Sequence, residues 1–374
     1  MNKKLIALAL AALPAAAMAD VTIYGTIKGG IESNKTYSSS LGFDSNGNPR
    51  SGVQVNDWIS SIGFKGTEDL GSGLKAIWQV ESRLHIDGTN GAANKASSDG
   101  FATRDSFLGL AGDSWGKFRF GRLSNYANSD MEQVDPGSYF GGYSDESVAG
   151  LGMFTRLDGR VNNALRYDSP NWAGFSFALL YGTDESRVTG TNGSRTNNQT
   201  WNLGLSYENS GFFGKYNYEN WGDADQLAST KSWHRLEGGY NANNLYVALG
   251  YQQVEGYGFG SYYNSVLGAV ANLAVLNAGA TQAQINAAKL KTKEAAFTVG
   301  YSFGPLTPYF TYAKGYNASL NGTDISNSGY DQYLLSLNYA MSKRTSVYTS
   351  AGTVKWKGGI SSENSFGLGL IHSF

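Results

Sequence analysis

The chain predicts an all-β fold: a closed antiparallel barrel of about sixteen strands that crosses a membrane. Two observations carry most of this. Short segments along nearly the whole chain alternate apolar and polar residues, the period-two mark of a strand with two unlike faces. The connections between them alternate between short and long, which sends turns to one end and loops to the other. A third observation is negative: after the first residues, no stretch is long and apolar enough for a spanning helix. Composition agrees, with 49 glycines, 24 tyrosines and 6 prolines among 374 residues.

Residues 1–19 read as an export signal. Lys3 and Lys4 give the positive start, 5–13 is a compact apolar run, and Ala17-Met18-Ala19 is an A-x-A cleavage site. The expected mature chain, 20–374, is a single barrel domain. It has no cysteine, so an exported protein must find stability elsewhere than in disulfides, and a closed sheet without free edges is one source.

The first strand, 21–32, puts Val21, Ile23, Ile27 and Ile31 on one face, with Thr22, Thr26, Lys28 and Glu32 on the other. Next come 58–66 and 73–83, where Leu74, Ala76, Trp78 and Val80 alternate with Lys75, Gln79 and Glu81. Segments 103–111, 116–123, 163–169 and 174–182 follow. In 200–208, Trp201, Leu203, Leu205 and Tyr207 alternate with Asn202, Gly204 and Ser206. Then come 211–219, 232–240, 245–253, and 294–303 with Ala295, Phe297, Val299, Tyr301 and Phe303 on one side. The series closes with 306–314, 330–340, 344–352 and 365–374; the last places Phe366, Leu368, Leu370 and Phe374 together. Short links fall at 67–72, 112–115, 170–173, 209–210, 241–244, 304–305 and 341–343. Long ones fall at 33–57, 84–102, 124–162, 183–199, 220–231, 254–293, 315–329 and 353–364. Within 266–289 a short helix is expected.

The physics suits this plan. In lipid every backbone N–H and C=O must be paired inside the protein, so only helices or closed barrels span. Aromatic residues near the segment ends fit interfacial girdles, and sixteen strands leave an aqueous lumen where eight would be filled by side chains. Other classes are excluded or unsupported. Zinc ribbons and thiol enzymes need cysteine. The balance of 29 basic and 30 acidic residues lacks the surplus of a nucleic-acid binder. Three histidines without a supporting motif offer no catalytic or metal site, and no cofactor is expected. Residues 44–48 begin like a calcium loop, but Pro49 and Val55 stand where Gly and Glu are required, so a polar turn is expected there.

Several stretches resemble the general porins of the Gram-negative outer membrane, of the neisserial and wider β-proteobacterial type. They are AMADVTIYGTIKGGIE (17–32), GFKGTEDLGSGLKAIWQVE (63–81), RDSFLGLAGDSWGKFRFGRL (104–123), RYDSPNWAGFSF (166–177), DQYLLSLNYAMSKRTSVYTSAG (331–352) and GLGLIHSF (367–374). The resemblance implies a homotrimer of sixteen-stranded barrels among outer-membrane lipids and lipopolysaccharide, passing ions and small hydrophilic solutes by diffusion. It also implies short periplasmic turns, long extracellular loops, and a terminal Phe374 that acts as an insertion signal. The third long loop, 124–162, is then the inward constriction, carrying Asp130, Glu132, Asp135, Asp145, Glu146 and Asp158 against Arg156 and Arg160.

Alternation puts Lys28, Lys65, Lys75, Arg83, Arg104, Arg119 and Arg166 on the lumen side. Ile27, Gly29, Phe64, Ala76, Trp78, Phe107, Phe118 and Phe120 are expected to face lipid. Arg122 joins the basic wall but breaks the parity of Arg119, which places it near a strand end or a bulge. A charge facing lipid costs about 2–4 kcal/mol at the midplane, which favours the inward assignment. Such a wall opposite an acidic loop predicts a transverse field and a modest anion preference. Salt bridges that merely hold the loop are the alternative for each residue. For the whole chain the alternative is a barrel adhesin, or a plugged structural barrel, acting through its long loops.

Overall fold

The structure, a computed structural model, describes residues 20–37, 44–45, 47–88, 100–131, 133–137, 148–185, 187–258 and 281–374. The expected export signal, 1–19, lies outside them. Sixteen long strands form one antiparallel sheet: β1 (Asp20–Lys35), β2 (Ser61–Gly71), β3 (Leu74–Arg83), β4 (Ser106–Gly112), β5 (Gly116–Ser124), β6 (Arg160–Asp168), β7 (Phe175–Gly182), β8 (Thr200–Asn209), β9 (Phe212–Trp221), β10 (Thr230–Ala242), β11 (Leu245–Tyr257), β12 (Lys289–Tyr301), β13 (Leu306–Gly315), β14 (Tyr330–Ala340), β15 (Thr345–Trp356) and β16 (Glu363–Ser373). Three short pieces, Gly52–Asp57, Ser319–Leu320 and Thr323–Asp324, add to it from within loops.

The sheet closes on β1. From Thr26↔Ser373 to Lys35↔Asn364 it pairs with β16. Its other edge pairs with β2 from Asp20 to Thr26 and with Gly52–Asp57 from Gly29 to Asn34. The terminal residue completes the seam, because Gly25 and Phe374 exchange backbone hydrogen bonds of 3.1 and 3.0 Å. Gly25 is required there, since a Cβ would collide with the Phe374 ring and with Ser61 O.

Burial is inverted relative to a water-soluble domain. Ile23, Ile31, Phe120, Trp201, Leu249, Leu335 and Leu368 are exposed, whereas Asn202, Asn217, Glu219, Arg235, Gln252, Glu294, Thr298 and Gln332 are buried. An apolar exterior around a polar interior is what a bilayer demands of a barrel. Outward aromatic residues bracket the apolar band. Phe212–Tyr240 and Tyr301–Phe303 contacts lie toward the short turns, and the Tyr312–Tyr333 contact lies toward the long loops.

The strands expected from the sequence are all present, with informative differences. β11 and β12 run on to Tyr257 and back to Lys289, beyond the expected ends at 253 and 294. Their outward residues there are Glu255, Lys291 and Lys293, so the strand continues after apolar alternation has stopped. The expected strand 58–66 starts only at Ser61. Ile59 has φ of 65°, and Trp58 turns inward, fully buried against Tyr348 at 5.4 Å between ring centroids. Gly30 and Gly369 leave the room that its indole fills. Phe107 is a correction: it lies inside, with the Arg119 guanidinium 5.0 Å from its ring centre, while Leu108 and Leu110 are exposed on the outer face. Asp44 and Asn48 close the expected polar turn, Asn48 N donating to Asp44 Oδ1 at 2.9 Å. In the sixth loop a capped helix spans Gln282–Ala287, and 266–280 lies outside the described residues.

Candidate functional site

After β5 the chain turns into the barrel instead of continuing past its rim. Asn125 caps a one-turn helix, α1 (Tyr126–Asp130), accepting from Asn128 N at 3.0 Å, and donates through Nδ2 to Glu219 of β9 at 2.8 Å. The Tyr126 backbone N–H donates to Asn202 Oδ1 of β8 at 2.7 Å, and its ring lies on Gly204, where a Cβ would strike it. The Arg166 guanidinium, 3 % exposed, gathers the helix to the wall. It donates to Ser124 O at 2.9 Å and Ser129 Oγ at 2.7 Å, and pairs with Asp130 and Asp168 at 2.7 Å each. Arg119 holds Asp168 from the other side at 2.6 Å.

The other described residues of the loop are clasped by one wall strand after another. Gln133 N donates to Glu237 of β10 at 2.6 Å. Arg235, also on β10 and fully buried, pairs with Asp158 at 2.7 Å and donates to Phe154 O at 2.8 Å. Arg156 pairs with Glu294 of β12 at 2.7 Å. Gln332 of β14 donates to Gly150 O at 2.8 Å, Ser350 of β15 donates to Ala149 O at 2.8 Å, and Val148 N donates to Ser365 of β16 at 3.0 Å. Val134, Leu151 and Phe154 pack on Tyr246, Ala248, Ala296, Ala313 and Leu334 beneath these bonds. Buried charges are tolerable only with partners, and here Arg235–Asp158 and Arg156–Glu294 join loop to wall. At the loop's two roots, Asp105 accepts from Ser124 Oγ and from Arg160 Nε, both at 2.6 Å. Burial alone raises the Asp105 carboxyl, but Arg160 and the Ser124 hydrogen bonds outweigh it and hold the group below its ordinary value.

These loop contacts run from β6 round to β16 and leave the inner face of β1 to β4 to other side chains. There Tyr24 donates to Glu81 at 2.9 Å, Lys65 lies 5.0 Å from the centre of the Tyr24 ring, and Arg104 pairs closely with Glu81. Arg83 stands 3.9 Å from Asp57, and Lys28 shares the inward parity of Glu32, which accepts from Trp58 Nε1 at 3.1 Å.

The expected basic wall therefore divides. Lys28, Lys65, Arg83 and Arg104 share the face left by the loop. Arg104 reaches it from a residue preceding β4, after Ala102 at φ 64°, rather than by strand parity. Lys75 pairs at 3.3 Å with Asp113 near a short turn, both well exposed. Arg119 and Arg166 belong to the clasp. Arg122 is a correction to the wall: it shares the outward parity of Phe118 and Phe120 and bonds to Thr103 O and Asn162. The adjacent bulge is real, but it lies in β6, where Asn163 takes φ of 51° and the register shifts. Among the loop acids, Asp130 and Asp158 direct their charge to the arginines that hold them, and Asp135 accepts from Leu151 N at 2.8 Å within the loop. A carboxylate gains more from a guanidinium at contact than from charge across a lumen, the more so for Asp158, which is buried where Asp130 is partly exposed, so the expected field is short of these two acids. Glu132, Asp145 and Glu146 lie outside the described residues.

A closed polar-lined barrel with a loop bound inside it now meets what known proteins offer. The family described as Gram-negative porin matches residues 5–359. The chain belongs to the Gram-negative porins. Over its full length this porin is 37 % identical to the major outer membrane protein P.IB of Neisseria sicca, and 35 % identical to that of Neisseria meningitidis serogroup B; each match also covers the whole relative. Its fold resembles the anion-selective porin of Comamonas acidovorans, with a TM-score of 0.68 at 20 % identity over 95 % of this chain and all of the other. The OmpF of Salmonella typhi gives 0.63 at 16 %, over 95 % of this chain and 98 % of that one. It is thus a channel-forming protein of the outer membrane.

Sequence reading missed the porin's chief clasp residues. Arg235, Glu237 and Glu294 lie on strands whose alternation was plain, and inward parity with charge was the signal available. Trp58 had no such signal, because its placement depends on the break at Ile59.

Proposed function

We propose that the porin passes ions and small hydrophilic solutes by passive diffusion between its inward loop and the β1–β4 wall, with a modest preference for anions, and performs no catalysis. The observation that carries this is the division of charge around the lumen. Among the described residues the loop's Arg156, Asp130 and Asp158 are held in ion pairs by the wall and Arg160 by Asp105, and on the remaining face Glu81 is matched by Arg104 and Asp57 by Arg83, while Lys28 and Lys65 outnumber the one further acid, Glu32. Positive charge lining a narrow aqueous path raises local anion concentration, and the bias fades as salt shortens the Debye length to about 10 Å at 0.1 M. The Comamonas relative in fold is described as anion-selective, which agrees.

In this reading residues 1–19 direct export, 20–374 form the single barrel domain, and Phe374 at the closing seam is the insertion signal. Barrels associate as homotrimers among outer-membrane lipids and lipopolysaccharide, with the long loops outward. The test is liposome swelling with the refolded mature chain. Rapid swelling in small sugars and amino acids, slowing with solute size, is the expected result. Tight liposomes around a folded, heat-modifiable barrel would return the plugged or adhesive reading to first place.

A further inference from the structure

The connection between β1 and β2 sends one large side chain into the barrel, where the inward loop and the closing seam meet. Trp58 is 1 % exposed, and its indole lies over Gly30 of β1 and Gly369 of β16, where a Cβ on either would strike it. The ring edge meets Tyr348 of β15, and Ala149 of the inward loop and Ile371 of β16 complete the cluster. Nε1 donates to Glu32 at 3.1 Å, while the backbone N–H donates to Lys28 O at 3.0 Å. Ile59, next in the chain, takes φ of 65°, a conformation that β-branched residues rarely adopt. Such strain persists only where the surroundings over-determine it, and it gathers at functional places.

The inward loop is clasped from β6 round to β16, and the open face runs along β1 to β4, so the indole stands on the boundary between them. We infer that Trp58 sets the lateral limit of the conducting path. Its indole seals the gap between the Val148–Gly150 stretch of the loop and the β16–β1 seam, and so helps fix the size of solute that passes. The inference rests on the diffusion path proposed above and adds a size-determining residue to it. Three observations favour a seal over ordinary core filling. Gly30, Gly369 and Ala149 offer at most a methyl group to take the place of the ring. The loop is held there without the indole, because Ser350 donates to Ala149 O and Gln332 to Gly150 O, both at 2.8 Å, and Val148 N donates to Ser365 at 3.0 Å. It therefore stays in place when the space is vacated. That space borders the Glu32 carboxylate, and a polar cavity takes up water where an apolar one stays dry.

The test compares wild type with the series Trp58→Phe, Trp58→Leu and Trp58→Ala in the refolded mature chain. Planar-bilayer recording reads single-channel conductance, and liposome swelling in sugars of increasing size reads the size cut-off. Trp58→Ala should give larger, quiet steps, and a sugar just too large for wild type should swell its liposomes severalfold faster. Trp58→Leu should fall between the two. Trp58→Phe, which keeps a ring over the glycines but cannot bond Glu32, should stay close to wild type, because the filled space and not the hydrogen bond makes the seal. Should Trp58→Ala not fold, Trp58→Leu carries the same test with a smaller shift. Wild-type conductance and cut-off in the folded Ala or Leu variant overturn the inference. So do noisy steps with protease cutting within 125–159, because Trp58 then holds the loop instead of sealing beside it. A silent wild-type barrel fails the diffusion reading itself, whereas an open wild type with an unmoved Trp58→Ala fails this inference alone.

Discussion

Replacing Arg235 by glutamine should release the inward loop, and the structure sets the size of the effect. Arg235 is fully buried, bonds Asp158 at 2.7 Å, Phe154 O at 2.8 Å and Gln252 Oε1 at 2.9 Å, and lies 5.0 Å from the centre of the Phe154 ring. Asp158 is itself only 4 % exposed, so the variant leaves a buried carboxylate unpaired. Removing one partner of such a pair costs about 3–5 kcal/mol, enough to favour a rearranged loop over the clasped one. Planar-bilayer recording of Arg235→Gln should give altered, noisier conductance steps, and limited proteolysis should cut within 125–159. The added variant Asp158→Asn, which removes the stranded charge, should recover most of the wild-type behaviour. Burial pushes the Asp158 carboxyl above its ordinary value, and Arg235 opposes that push. Without Arg235 only the charge of Arg156 still opposes the push, so the penalty should shrink as pH falls through the raised value and the carboxyl takes up a proton. Wild-type conductance and protease resistance in Arg235→Gln at neutral pH would refute the reasoning.

Other consequences follow from the same geometry. Lys28→Gln/Lys65→Gln should move the reversal potential toward cations without altering thermal stability, whereas an unmoved potential would remove both lysines from the selective path. Arg119→Gln should lower the unfolding temperature more than it shifts selectivity, because its partner Asp168 also serves Arg166 in the clasp; a dominant selectivity change would contradict this. Gly204→Ala should reproduce the loop release of Arg235→Gln, since its Cβ displaces the Tyr126 ring, and wild-type single-channel steps would count against it. Gly25→Val should delay barrel closure at the Phe374 seam, read as a slower appearance of the folded heat-modifiable band during refolding.

Much of the fold was legible because a barrel in lipid writes its topology as a period of two. Each outward Leu, Val or Phe marks one parity, and each long loop must return to the same end. Legibility failed where tertiary contacts override that period. β12 continues to Lys289 with charged outward residues, and the Phe107 parity reverses because backbone irregularity precedes β4. Trp58 folds inward at a left-handed Ile59. The site was legible as a list of inward charges but not as pairs. Nothing local in the sequence joins Arg235 to Asp158 or Arg156 to Glu294, 77 and 138 residues apart. Those pairings decide which charges serve the clasp and which face the open path. Lys65 and Arg166 looked alike in the pattern; one lies beside a tyrosine on the open wall, and the other is buried holding the loop.

The most direct measurement is the reversal potential of single insertions of the refolded mature chain in a planar bilayer under a KCl gradient. The account predicts discrete open steps and a potential on the anion-selective side that declines as total salt rises. Open steps with a cation-selective potential would contradict the assignment of Lys28 and Lys65 to the conducting wall, and a silent folded barrel would contradict the channel itself.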